Sequence, residues 1–308
     1  MRGLPGGRSP LAATLLALAL PAAVRAQELP VPGPVLDAKP AEQVRVDPST
    51  ASTSEKTEPL WELGLGVSAV RFPDYRGSNE TSTYVLPLPF VAYRGRFLRA
   101  DRDGARAILF AGRRVEVDVS LSASTPSRSK DNATRRGMPD LDGTFEIGPN
   151  LNVELWQSDD RRFKLDLRLP VRQAITIASN PKAIGVTFSP NLNLDIRNLA
   201  GRWNVGLLGG PLYADRRYHV YYYEVDSQFA TASRPGYRAS GGYAGWRTLV
   251  AASRRIGNAW VGGFVRHDDL DGATFAPSPL VTTRRSLTAG IGISWIFATS
   301  SERVSTPD

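Results

Sequence analysis

The sequence predicts an all-β fold, an antiparallel transmembrane β-barrel of twelve strands that follows a disordered N-terminal linker. Three observations carry this prediction. Apolar and polar residues alternate along most of the chain from Trp61 onward, which is the period of a strand. Beyond the N-terminal segment, no apolar run reaches the eighteen residues of a helical span. Connections between the expected strands alternate between tight turns and long loops, as in outer-membrane barrels.

The N-terminus has the pattern of a secretory signal. Arg2 and Arg8 precede an apolar run from Leu11 to Leu20, and Ala26 closes a small-residue site before Gln27. The run is about half the length of a transmembrane helix. We therefore predict cleavage between Ala26 and Gln27, with residues 1–26 as signal peptide. The signal contains three arginines and no acids, so the net charge falls from +8 to +5 on cleavage.

Composition excludes several classes of function. The chain has no cysteine, which leaves neither disulfides nor a thiolate nucleophile, and its two histidines offer little to a metal site. Charges of both signs are interspersed, so nucleic acid is not an expected partner. We expect no cofactor.

Three regions follow the signal. Residues 27–58 are rich in proline and polar residues and are predicted to form a disordered periplasmic linker. Residues 59–297 form the predicted barrel, and residues 298–308 form a C-terminal tail.

Strand alternation is clearest over residues 114–124, where Val115, Val117, Val119 and Leu121 are separated by charged or small polar residues. One face of each such strand would contact lipid and the other would line the lumen. The predicted lumen charges are Arg114, Glu116, Asp118, Glu146, Glu154, Lys164, Asp166, Arg168, Asp195 and Arg197. A position in the lumen accounts for these carboxylates, so they need no catalytic role.

Twelve strands are expected, although the short pair at 97–111 leaves ten as the alternative. Their predicted ranges are 61–70, 84–93, 97–102, 106–111, 114–124, 143–156, 163–175, 185–197, 203–213, 241–253, 258–267 and 286–297. A soluble sandwich also alternates, but strands near ten residues and the parity of the loops favour the barrel. Tight turns follow even-numbered strands, which predicts that the turns and both termini are periplasmic.

The ends of the strands carry aromatic residues, as expected of girdles at the two membrane interfaces. They include Trp61, Tyr84, Trp156, Trp260 and Trp295. The last strand ends in Trp-Ile-Phe at 295–297, which resembles a barrel assembly signal, but eleven residues follow it.

Several short motifs resemble one protein family. They are PDYRGS at 73–78, PLP at 87–89, RGMPDL at 136–141, YYYEV at 221–225, YRASGG at 237–242 and SPLV at 278–281. In this order and spacing, the region from Trp61 to Phe297 resembles the MltA-interacting protein (MipA)/OmpV family of outer-membrane proteins.

The resemblance implies a non-enzymatic barrel in the outer membrane of a Gram-negative bacterium. It also implies a scaffold that joins a murein lytic transglycosylase to a murein synthase. Other members look like general porins, antigens or adhesins. A small-solute porin and a surface adhesin acting through external loops therefore stay as alternatives to the scaffold.

Two loop features offer ligand hypotheses. Arg128, Lys130, Arg135 and Arg136 form a basic cluster that would meet lipopolysaccharide phosphates, with a solvated loop face as the alternative. The acidic run Asp268, Asp269 and Asp271 lacks the spaced ligands of a calcium loop and is predicted to be a turn.

Overall fold

The computed structural model describes residues 57–95, 98–101 and 104–305. The predicted signal peptide, with its cleavage site at Ala26 and Gln27, lies outside these residues, as does the linker up to residue 56. Those predictions therefore stay predictions.

The described chain is dominated by strands. They are β1 (Thr57–Pro59), β2 (Trp61–Pro73), β3 (Thr81–Arg94), β4 (Leu98–Asp101), β5 (Gly104–Ala111), β6 (Val115–Ser124), β7 (Thr144–Gln157), β8 (Phe163–Thr176), β9 (Ala183–Phe188), β10 (Asn191–Leu199), β11 (Trp203–Ala214), β12 (Gly242–Ile256), β13 (Ala259–Asp269), β14 (Arg285–Thr299) and β15 (Arg303–Ser305). Helix α1 spans Arg216–Tyr223, and short 3-10 turns occupy Ser129–Asp131 and Ser227–Phe229.

Strands β2 to β14 close into a barrel. Apart from β9 and β10, each pairs antiparallel with its neighbours in the chain, and β14 pairs with β2 to close the seam. Both β8 and β11 pair with β9 and with β10, so β9 and β10 form one strand that is interrupted at Ser189 and Pro190. Proline lacks the N–H that a ladder needs, which explains the interruption. Counted this way the barrel has twelve strands, and the prediction of twelve is confirmed.

The outer wall of the barrel is apolar. On β14, Leu287, Ile291, Ile293 and Trp295 are 50–71% exposed, whereas the intervening Thr288 and Ser294 are at most 4% exposed. A band of exposed aliphatic side chains around a closed sheet is the surface that lipid requires. Among the described residues, no helix has the length and apolar character to cross a membrane.

A small ribbon lies outside the barrel sheet. β1 pairs antiparallel with β15, with Glu58 opposite Val304. Residues after the predicted last strand thus extend β14 to Thr299 and then fold back against the segment that precedes β2.

The connections differ sharply at the two ends of the barrel. Residues 112–114, 158–162, 200–202 and 257–258 make tight turns at one end, while the longer loops 74–80, 125–143, 177–182, 215–241 and 270–284 lie at the other. α1 begins in the longest loop because the Asp215 carboxylate accepts a hydrogen bond from the Tyr218 N–H at 2.9 Å, which caps the helix.

Candidate functional site: a filled lumen under a folded loop cap

Ten charged residues were predicted to line the lumen. Asp118 and Asp166 are at most 3% exposed, and Arg114 is exposed at the turn before β6. The remaining seven are partly buried on their strands: Glu116, Glu146, Glu154, Lys164, Arg168, Asp195 and Arg197.

Charges on the inner face of β6 to β10 are paired both along and across the strands. Lys164 Nζ lies 3.1 Å from Asp166, and Arg168 bridges Asp166 and Asp195 at 3.9 and 3.7 Å. Asp118 accepts hydrogen bonds from the side-chain amides of Asn150 and Asn152. Paired charges fill this part of the interior and compensate one another.

The opposite wall of the lumen is apolar, because aromatic rings lie against glycines. A Cβ atom at Gly290 would approach the Phe264 ring to 2.6 Å, and one at Gly262 would approach the Trp260 ring to 2.5 Å. Only glycine leaves room for these rings. Trp260 was expected in an interface girdle; instead it shares the inner face with Asp268, and its ring centroid is 6.0 Å from that of Phe90.

Near the tight turns, a buried acid joins three strands. Glu62 on β2 is 2% exposed and binds both Arg94 of β3, at 3.0 Å, and Arg255 of β12. Arg94 also contacts Glu58 at 2.7 Å and donates to the Pro59 carbonyl at 2.9 Å. This cluster ties the barrel seam to the terminal ribbon. Sequence reasoning missed it, although Glu62 has the strand parity of an inward residue.

Near the long loops, three arginines surround one acid. Asp268 is fully buried, and nitrogens of Arg76, Arg247 and Arg266 lie 3.1, 3.0 and 2.9 Å from its carboxylate oxygens. The Arg266 contact is close but not aligned for a hydrogen bond. Arg76 comes from the 74–80 loop, so the cluster fastens that loop to the barrel wall. Asp268 belongs to strand β13 and not to the acidic turn that the sequence predicted.

Above this cluster the long loops pack into a folded cap. Its apolar core is built from Tyr75, Leu141, Leu212, Tyr223, Val225, Ala244, Leu270, Ala273, Phe275 and Leu280. The rings of Tyr223 and Phe275 stack at 3.7 Å between centroids. The Tyr75 hydroxyl donates to the Leu280 carbonyl at 2.7 Å. Motifs at 73–78, 136–141, 221–225 and 278–281 all lie in this cap, so the residues that carry the family resemblance meet in space.

Two buried arginines hold the cap together. Arg135, 3% exposed, donates to the Tyr222 carbonyl at 3.0 Å and to the Pro139 carbonyl at 3.2 Å. Arg234 donates to the carbonyls of Thr134 and Arg136. Arg135 is therefore used inside the cap and is not part of a basic surface. Its predicted companions Arg128, Lys130 and Arg136 are exposed, and their contact with lipopolysaccharide stays a prediction.

His219 of α1 is buried in the cap. Its Nδ1 lies 2.6 Å from the Ser240 carbonyl, and its ring packs edge-on against Phe275. Burial lowers the pKa of His219, which favours the neutral ring. The surroundings are aromatic and aliphatic, consistent with a packing role.

Several solved structures and one protein family are similar to this chain. Nine solved chains match. Three of them are a bacterial polysaccharide outer membrane secretin (TM-score 0.38, 8% identity, 77% of this chain and 99% of the other), outer membrane phospholipase A from Escherichia coli (0.30, 10%, 77% and 93%) and a porin (0.30, 10%, 77% and 100%). No curated protein sequence matches. Residues 65–297, most of the chain, match the model of the family described as MltA-interacting protein MipA, and the protein therefore belongs to that family.

Proposed function

We propose that this protein is a sealed, non-enzymatic barrel of the outer membrane of a Gram-negative bacterium that anchors a murein lytic transglycosylase at its periplasmic face. The family description names a protein that interacts with MltA. The observation that carries the non-conducting part of the proposal is the filled interior.

Buried charges occur near both ends of the lumen and between them. Glu62 lies near the turns, Asp118 and Asp166 lie between, and Asp268 lies under the cap, and each of these four acids is at most 3% exposed. In a water-filled pore such groups would face solvent. Their burial, together with the loop cap, supports a plugged barrel over a solute channel.

The cap offers little surface for adhesion. Its aromatic residues are turned inward, and among the described residues of the long loops Ile177 is the one large apolar side chain that lies exposed. Interfaces depend on accessible aromatic and apolar anchors. The cap therefore favours a structural role for the loops over an adhesive one.

The turn end offers a basic surface. Arg113, Arg162 and Arg202 are exposed on its tight turns. Such a rim suits a partner with an acidic face. We assign this rim to the periplasmic partner.

The first experiment measures conductance of the refolded chain, residues 27–308, in a planar bilayer. We expect a barrel that conducts no ions. Its folding is checked by the change in gel mobility that heating causes. Stable ohmic steps from the folded barrel would overturn the sealed lumen and favour the porin.

The anchor is tested separately with purified MltA-type lytic transglycosylase and the barrel in lipid nanodiscs. We expect binding that weakens at least tenfold when Arg162 and Arg202 are both changed to glutamate. Absence of binding to the unmodified barrel would refute the anchor.

Orientation is tested with single cysteines at Lys130 and Asp159, both exposed, in intact cells. We expect an impermeant maleimide to label only the cysteine at position 130. Labelling only at position 159 would reverse the topology and remove the rim from the periplasm.

A further inference from the structure

A niche of about 330 Å³ lies at the turn end of the barrel. It sits between the turns 112–114 and 158–162. Residues that line it include Arg114, Glu154, Leu155, Trp156, Asp159 and Arg161.

A β-bulge builds the apolar side of the niche. The pairing of β7 with β8 matches Glu154 with Asp166 and then Trp156 with Leu165, so Leu155 is the extra residue. As a result Leu155 and Trp156, which are adjacent in sequence, are both on the exterior, at 45% and 53% exposed. Bulges at barrel rims re-aim side chains in this way. The two side chains face the lipid at the level of the interface, where tryptophan is enriched.

The polar side of the niche belongs to two neighbouring turns. The Glu154 N–H donates to the Arg114 carbonyl at 2.8 Å, which holds the first turn against β7. In the second turn, Ser158 accepts from the Arg161 N–H at 2.8 Å and donates its own N–H to Phe163 at 3.0 Å. Arg161 has a φ of +53°, a conformation uncommon for a residue with a side chain. These bonds hold the arginine at the edge of the niche.

The lining is dipolar. Arg114 and Arg161 supply two guanidinium groups, and Asp159 supplies a carboxylate. Guanidinium is the preferred partner of phosphate, and carboxylates pair with ammonium groups. A headgroup that carries both a phosphate and an ammonium group therefore matches both charges of the lining.

We propose that this niche binds the phosphoethanolamine headgroup of a phospholipid. The phosphate lies between Arg114 and Arg161, the ammonium group faces Asp159, and the acyl chains run along Leu155 and Trp156. This proposal rests on the membrane placement argued above, but not on the transglycosylase.

The test is native mass spectrometry of the detergent-solubilised chain, residues 27–308, titrated with phosphatidylethanolamine or phosphatidylglycerol. We expect the ethanolamine lipid to be retained at least fivefold more than the glycerol lipid. Changing Arg114→Gln together with Arg161→Asn should reduce retention about tenfold, since asparagine tolerates the positive φ. Arg113→Gln is the matched control, being exposed on the same turn but outside the niche, and should retain lipid like the unmodified chain.

Each other result would overturn the assignment. Equal retention of both lipids would remove the role of Asp159. An equal loss of retention in the Arg113→Gln control would show a general effect of charge at this end of the barrel. Displacement by inorganic phosphate alone would show that phosphate, not lipid, is bound. A chain that stays soluble without detergent would contradict the membrane placement itself, whereas a detergent-soluble barrel without lipid preference would overturn only the niche.

Discussion

Replacing Asp268 by asparagine should weaken the attachment of the cap to the barrel. The carboxylate is 1% exposed, and guanidinium nitrogens of Arg76, Arg247 and Arg266 lie 2.9–3.1 Å away. Removing one partner of a buried ion pair costs about 3–5 kcal/mol, because the remaining charge stays buried. Since the arginines are 13–27% exposed, solvent screens part of their repulsion, and we expect the lower end, about 3 kcal/mol.

The assay is urea unfolding of the barrel in lipid vesicles, followed by tryptophan fluorescence, with trypsin cleavage of the loops as a local readout. Asp271→Asn is the control: Asp271 is 48% exposed and pairs with Arg285 at 3.2 Å in the same region. An exposed pair contributes about 1 kcal/mol or less. If Asp268→Asn loses no more stability than this control, and its loops stay resistant to trypsin, the buried cluster does not fasten the cap.

Three further predictions concern other contacts. Gly185→Ala should destabilise the barrel by about 2 kcal/mol or more, because the new Cβ would lie 2.2 Å from the Asp215 oxygen that caps α1. Gly201→Ala is the control in the same urea assay. Its φ is also positive but nothing lies within 4 Å, so it should cost less. Burial raises the pKa of Tyr75 to about 12, so its contribution to stability is complete below pH 10 and lost as the pH rises toward 12. In a spectrophotometric titration, the Tyr75→Phe variant should show one fewer tyrosine that ionises at high pH. A curve identical to that of the unmodified chain above pH 11 would contradict this. Arg94→Ala should cost about 3 kcal/mol because it leaves buried Glu62 with one fewer cation, and a loss under 1 kcal/mol would show that the ribbon cluster is not stabilising.

The strand pattern could be predicted because it is local. Alternation over residues 114–124 and 286–297 depends on the pleat alone, and these segments match β6 and β14 within a few residues. The short pair at 97–111 was the uncertain part, and it forms β4 and β5 within the barrel. The interruption at Pro190 had a sequence signal, since proline breaks a ladder, but the predicted strand at 185–197 passed through it.

The side-chain clusters could not be predicted, because their members are distant in sequence. Asp268 and Arg76 are separated by 192 positions, and Glu62 and Arg255 by 193. Arg135 looked like a surface charge because nothing local shows that the 215–241 loop covers it. Trp260 was predicted to be a girdle residue because it lies near a strand end. The alternation of β13 places it on the same inward-facing side as Asp268.

The sequence by itself determined the fold class and the family and favoured twelve strands over ten, because strand periodicity, turn length and motif order are written along the chain. The tertiary structure alone decided which charges pair inside the barrel and that the long loops form a cap. Which charges meet across a barrel depends on strand register and on closure of the β2–β14 seam, and these are set by contacts between residues hundreds of positions apart.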